Sequence, residues 1–257
     1  MTQQAAAPTI PDKALASCVG LAAIKVVFVV SLIWTALYLA WGSLSSANFL
    51  FPVWYEVLDI GEHIDHYGPQ NYYKPDFAST DRAQRLALFG EIVEAINRSG
   101  EGLGEIRYRT EAGREIVLLR DPERIHLESV GRIIDRLRLV SYVMLGVLAA
   151  TGFALWRAAA EPPRPSRVLL WSMVVTVTSA VAIVAYGAEE VFNFAHEVIF
   201  PPGEQWFFYY QESLMTTLMK APDLFAALAV LLVLATLLWF AVLLAAAKWG
   251  LAIRARQ

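Results

Sequence analysis

Four stretches of this chain, 18–41, 139–156, 168–186 and 224–248, are apolar over lengths that match the width of a lipid bilayer. A hydrocarbon core about 30 Å thick takes roughly twenty helical residues, and a helix is the one open-chain form that satisfies every backbone amide within the segment. The expected fold is therefore an α-helical membrane protein with four transmembrane helices. Composition agrees: 57% of the 257 residues are hydrophobic and 18% are charged, too apolar a balance for an ordinary soluble domain of this size.

The basic residues set an expected orientation. Lys13 precedes the first span, Arg157, Arg164 and Arg167 lie in the short loop 157–167, and Lys248, Arg254 and Arg256 lie at the end of the chain. Positive-inside bias puts segments 1–17, 157–167 and 249–257 in the cytoplasm, and by parity it puts 42–138 and 187–223 outside. Lys25 interrupts the first span near its start, where its stem can snorkel to the headgroups. Trp34, Trp41, Trp156, Trp171 and Trp206 lie near span boundaries, as belt residues do.

The first apolar run is about twice the core of a signal sequence, and Ser45-Ser46-Ala47 is a poor cleavage site, so an uncleaved anchor is expected. Leu15-Ala16-Ser17-Cys18 spells a lipoprotein acceptor sequence, but Cys18 precedes the hydrophobic segment instead of following it. As the lone cysteine, it also excludes an intrachain disulfide. The net charge of −3, with no basic stripe, gives no case for nucleic acid.

Segment 42–138 reads as an α+β insertion. Its aromatic-rich start, 48–76, follows neither the helix nor the strand period and is expected to be interfacial and partly irregular. Behind Ser79-Thr80-Asp81, the spacing of Leu86, Phe89, Ile92, Val93 and Ile96 predicts an amphipathic helix ending near Ser99-Gly100. Residues 105–110 and 114–120 flank Glu111-Ala112-Gly113 as a small hairpin. Asp121-Pro122-Glu123 is expected to cap a helix that runs on into the second span.

All four histidines, His63, His66, His126 and His196, fall in the two outside segments. His126 precedes the second span, and His196 follows the third, by about three turns each, so an antiparallel pair of helices would bring them to similar height. His126 shares a predicted inward face with Val130, Ile133 and Leu137, and His196 is in register with Phe192 and Phe200. Each alone reads equally well as a structural histidine, whereas two that converge point to proton transfer, since imidazole titrates near neutral pH. His63 and His66 could form a weak metal site, but a solvated polar segment explains them better, and no metalloprotease, Gly-x-Ser-x-Gly, phosphate-loop or dinucleotide motif is present.

The stretch Glu123-Arg124-Ile125-His126-Leu127-Glu128-Ser129-Val130 resembles the Glu-x-x-His-Leu/Met-x-Asp-Val sequence of the bacterial lipoprotein intramolecular transacylase (Lit) family, which also stands just before the second span. Phe192-Asn193-Phe194-Ala195-His196-Glu197-Val198-Ile199-Phe200, followed by Trp206, Leu214, Pro222 and Phe225, is similar to that family's second motif. Two departures are Ser129, where Asp is common, and Tyr209-Tyr210-Gln211-Glu212, which replaces an Asp-Pro stretch.

The resemblance implies a protein of the bacterial cytoplasmic membrane that acts on diacylglyceryl-modified lipoproteins among membrane lipid. It would move the sn-2 acyl chain of diacylglyceryl-cysteine to the cysteine α-amine and needs no cofactor. His126 and His196 would transfer protons, Glu123 and Glu197 would orient them, and Trp206 and Tyr209 would shape the lipid entrance. A membrane lipid or lipoprotein hydrolase using the same histidines remains an alternative, as does a non-enzymatic extracytoplasmic binding or assembly protein. A transporter has less support, because the spans carry almost no polar residues to line a path. Oligomeric state is not legible in the sequence.

Overall fold

The computed structural model describes residues 12–161 and 163–255. Most of the expected N-terminal segment, residues 1–11, lies outside them, as does Arg256. Four long apolar helices make an integral membrane bundle: α1 (Asp12–Ser46), α5 (Asp121–Arg157), α6 (Pro165–Tyr186) and α9 (Asp223–Ala255). Helix α1 is central and packs along both α5 and α9. Ala36 and Ala40, fully buried on α1, permit that close approach, and Phe28, Leu32, Leu155, Phe240 and Leu244 fill the bundle core. Helix α6 touches that core through Val168 and Leu169 near its start, with no buried residue along its length.

At 37 residues α5 is about 55 Å long, far more than a hydrocarbon core requires, so its first half projects from the bilayer. It enters through Arg120, whose backbone N–H donates to the Glu123 carboxylate (2.6 Å). The N-cap is thus Arg120, and the expected cap residue Asp121 is the first residue of the helix. The extended backbone at Arg120 leaves its N–H free for a side chain three residues on, which Glu123 supplies.

Between α1 and α5 lies the α+β insertion. Its start is more ordered than the aromatic pattern indicated: α2 (Phe51–Val57) and α3 (Ile60–Tyr67) are short helices joined at Asp59, which adopts a left-handed conformation. Their mixed periodicity reflects several short pieces, each facing the core at a different angle. Helix α4 (Arg82–Asn97) begins as predicted, the Asp81 carboxylate accepting from the Gln84 amide (2.8 Å). It buries Leu88, Phe89, Ile92 and Val93 against Phe51, Ile60 and Ile64. Strands β1 (Arg107–Arg109) and β2 (Glu115–Val117) pair antiparallel with Tyr108 opposite Ile116.

Gly131 fixes how α5 crosses this insertion: a Cβ there would lie 2.7 Å from the backbone of Ser99 and Gly100. The chain after α4 therefore touches the α5 backbone directly. The predicted inward stripe on α5 holds at its start and fails at its end. Val130 and Ile133 are half-buried, but Leu137 is 44% exposed, because at this height it is the neighbouring Arg138 that meets the insertion, its Nη2 donating to the Asn97 carbonyl (2.7 Å).

After α6, Gly187 (φ 119°) breaks the helix, and α7 (Ala188–Ile199) sets off in a new direction. The chain then turns at Pro201-Pro202-Gly203, runs irregularly to Ser213, and forms α8 (Leu214–Met219), which is buried throughout, before α9.

Candidate functional site

The start of α5, helix α7 and the return loop after it meet at the insertion end of the bundle. His126 on α5 and His196 on α7 lie with ring centroids 6.2 Å apart and planes inclined by 26°. Phe200 packs on both, at 4.5 Å from His126 and 5.3 Å from His196. Phe192 (3.9 Å) and Trp206 (4.9 Å) complete the surroundings of His196, and Phe208 (6.3 Å) those of His126. Trp206 thus packs directly against His196. Phe192 and His196, one turn apart on α7, and Phe200 at its C-cap produce this aromatic wall.

The two imidazoles are held differently. His196 Nδ1 lies 2.8 Å from the Phe192 carbonyl. A carbonyl can only accept, so Nδ1 carries the hydrogen of this contact, which in the neutral ring leaves the lone pair on Nε2. His126 is 7% exposed, and burial is the main cause that lowers its pKa, countered in part by the Glu204 carboxylate facing it. Glu204 Oε1 stands 3.4 Å from His126 Nδ1, a charge contact, and neither atom has a hydrogen-bond partner among the described residues. The other carboxylate oxygen accepts from the Ser129 hydroxyl (2.6 Å), which itself accepts from Arg132 Nη2 (2.7 Å). A chain Arg132–Ser129–Glu204 therefore ends at His126.

Glu204 went unrecognised in the sequence. It arrives from 75 residues beyond Ser129 because Pro201-Pro202-Gly203 folds the return loop back over α5. The available signal was Ser129 itself, a hydroxyl where the resembling motif has a carboxylate. The carboxylate is present in space, supplied from another segment.

The remaining sequence candidates fall in other places. Glu123 is fully buried, but its Oε1 accepts from the Ser213 hydroxyl (2.6 Å) and the Met215 amide (3.0 Å), which ties α8 to α5 instead of orienting His126. Glu197 is exposed on α7 without a hydrogen bond or ion pair among the described residues. Tyr209 is 63% exposed and meets Phe207 (5.2 Å); its neighbour Phe208 is the one that faces inward.

His63 and His66 diverge. His63 is buried against Tyr67 and Tyr210, and burial, with Lys220 next in effect, holds its pKa at about 4, while His66 is exposed. Among the described residues no three histidine, cysteine or acidic side chains converge, so this pair gains no third ligand.

No family model matches the chain, and no curated protein matches it. Solved structures do. The chain is similar to the membrane-integral lipoprotein intramolecular transacylase Lit from Bacillus cereus in a variant with a histidine changed to arginine: 16% identity, TM-score 0.65, covering 95% of this chain and 97% of that one. A second Lit structure matches at 16% identity and TM-score 0.62, over 92% and 97% of the two chains. A variant with a histidine changed to alanine matches at 15% and 0.65, over 95% and 99%. The likeness covers nearly the whole of both chains and is a likeness of fold.

Proposed function

We propose, from a fold like that of Lit, that this chain is a lipoprotein intramolecular transacylase in which His126 and His196 are the proton-transfer residues. The observation that carries the reading is their convergence from separate helices, 6.2 Å apart against a shared aromatic wall. A tetrahedral centre that loses one proton and gains another at hydrogen-bonding distance from two groups needs them about 5–6 Å apart, twice an ordinary donor–acceptor length.

In the proposed reaction the cysteine α-amine attacks the carbonyl carbon of the sn-2 ester. The N–C bond forms, the C–O bond to glycerol breaks, one histidine takes the amine proton, and the other gives a proton to the departing glycerol oxygen. The products are an N-acylated cysteine and a free glyceryl hydroxyl, so neither oxidant nor cofactor is consumed. The amine is its own nucleophile once neutral, and the enzyme's contribution is proximity and proton transfer. Phe192, Phe200, Phe208 and Trp206 give the acyl chain an apolar surface and keep water from competing as acceptor.

The reading places the site on the extracytoplasmic face of the bacterial cytoplasmic membrane, with both termini inside. Arg157, Arg164 and Arg167 at the α5–α6 connection, the end away from the histidines, support that orientation. The substrate ester lies at the same interface, within reach of residues on the projecting part of α5.

The test is the mass and fragmentation of a reporter lipopeptide from cells expressing the wild type, His126→Ala or His196→Ala at matched membrane levels. An N-acylated, monoacylglyceryl cysteine is expected from the wild type and from neither variant. Unchanged diacylglyceryl lipopeptide in every strain overturns the reading, and a lyso product with a free amine points to hydrolysis.

A further inference from the structure

A groove of about 670 Å³ lies between α1, α6 and α9, toward the end of the bundle opposite the histidines. It opens because α6 touches the bundle core through Val168 and Leu169 near its start and buries no residue along its length. Val29, Ile33, Val175 and Leu232 are among its apolar lining, and Lys25 and Arg167 are the only charged groups that line it. No carboxylate lines the groove, and neither cation has an ion pair or hydrogen bond among the described residues.

From this arrangement we propose that the groove is a binding site for one anionic phospholipid, its acyl chains between α1, α6 and α9 and its phosphate on Lys25 and Arg167. Along the walls water meets few polar groups, the hydroxyls of Ser172, Thr176 and Thr236 among otherwise apolar side chains. A second copy of the chain docked by the same face would bring its own Lys25 and Arg167 to the same depth, setting like charges together. A lipid satisfies both halves of the groove: hydrocarbon along the helices and negative charge at the mouth. Each cation near a membrane surface strengthens anion binding by about fivefold, so the pair favours an anionic over a zwitterionic headgroup by about 25-fold. Because α6 leads through Gly187 into α7, the bound lipid also braces the helix that carries His196.

The experiment is native mass spectrometry of the delipidated full chain titrated with dioleoyl phosphatidylglycerol or dioleoyl phosphatidylcholine. The wild type is expected to retain one phosphatidylglycerol, with phosphatidylcholine weaker by tenfold or more. The double variant Lys25→Gln/Arg167→Gln is expected to bind phosphatidylglycerol no better than phosphatidylcholine. Ser172→Phe, which fills the groove without changing charge, is expected to lose both. Equal retention of the two lipids by the wild type, undiminished phosphatidylglycerol binding in either variant, or a dimer that Ser172→Phe dissociates would each overturn the proposal. The readout is independent of acyl transfer and stands or falls apart from the transacylase reading.

Discussion

Glu204→Gln isolates what the buried carboxylate does for His126. The amide keeps the side-chain volume and still offers Ser129 an acceptor oxygen, so the loop has no reason to move. What disappears is a negative charge 3.4 Å from His126 Nδ1. At an effective dielectric of about 20, the gross attraction between that charge and an imidazolium is about 5 kcal/mol. The net coupling left after desolvation is smaller, about 1.5–3 kcal/mol, the size of a contact between a polar group and a charged partner.

The sign follows from the two opposing causes. Burial disfavours the charged ring and Glu204 favours it, so removing the carboxylate lowers the His126 pKa further. Whichever limb of the pH–rate profile His126 controls should move to lower pH. The maximal rate should fall about 10- to 100-fold if the imidazolium forms in the transition state. The assay is lipopeptide conversion by purified protein across pH 5–9, roughly the range in which imidazole and amine titrate, with membrane levels checked and Glu204→Asp as a partial rescue. A Glu204→Gln profile superimposable on the wild type, with an unchanged maximal rate, would refute the coupling.

Three further outcomes are expected. Glu123→Ala leaves the Ser213 hydroxyl and the Met215 and Arg120 amides without their acceptor in a fully buried place, a loss of about 3 kcal/mol or more that should lower the melting temperature by about 5–10 °C, read by scanning fluorimetry in detergent. Gly131→Ala drives a methyl group into the backbone of Ser99 and Gly100 and should cost about 1–3 kcal/mol; because α5 must shift, activity should drop along with the melting temperature. Glu197→Gln, at an exposed position with no partner among the described residues, should leave both activity and melting temperature near wild type, and a tenfold loss of activity would show that Glu197 orients a histidine after all.

The parts of this protein legible in its sequence are those set by local pattern. Hydropathy gave four membrane helices because transfer to lipid is close to a sum over neighbouring residues. Asp81 before an amphipathic run gave α4, and Glu111-Ala112-Gly113 between strand-like stretches gave the hairpin. His126 and His196 were legible as a pair because each sits on a helix at a countable distance from an apolar run. Counting did not show that the helix breaks at Gly187, which sets the direction of α7 independently of α6.

Tertiary structure decided which carboxylates serve the histidines. Glu123 and Glu197, near in sequence, are respectively committed to α8 and turned outward, whereas Glu204 reaches His126 through a loop reversed at two prolines and a glycine. Tertiary structure also decided that α6 buries no residue along its length and leaves a groove with two cations at its end. A span's apolarity is a property of the residues in it, so the sequence determines it outright. The partner of a buried charge depends on which segments cross and how closely, and here that rests on features such as Gly131, where one absent methyl group lets two backbones touch.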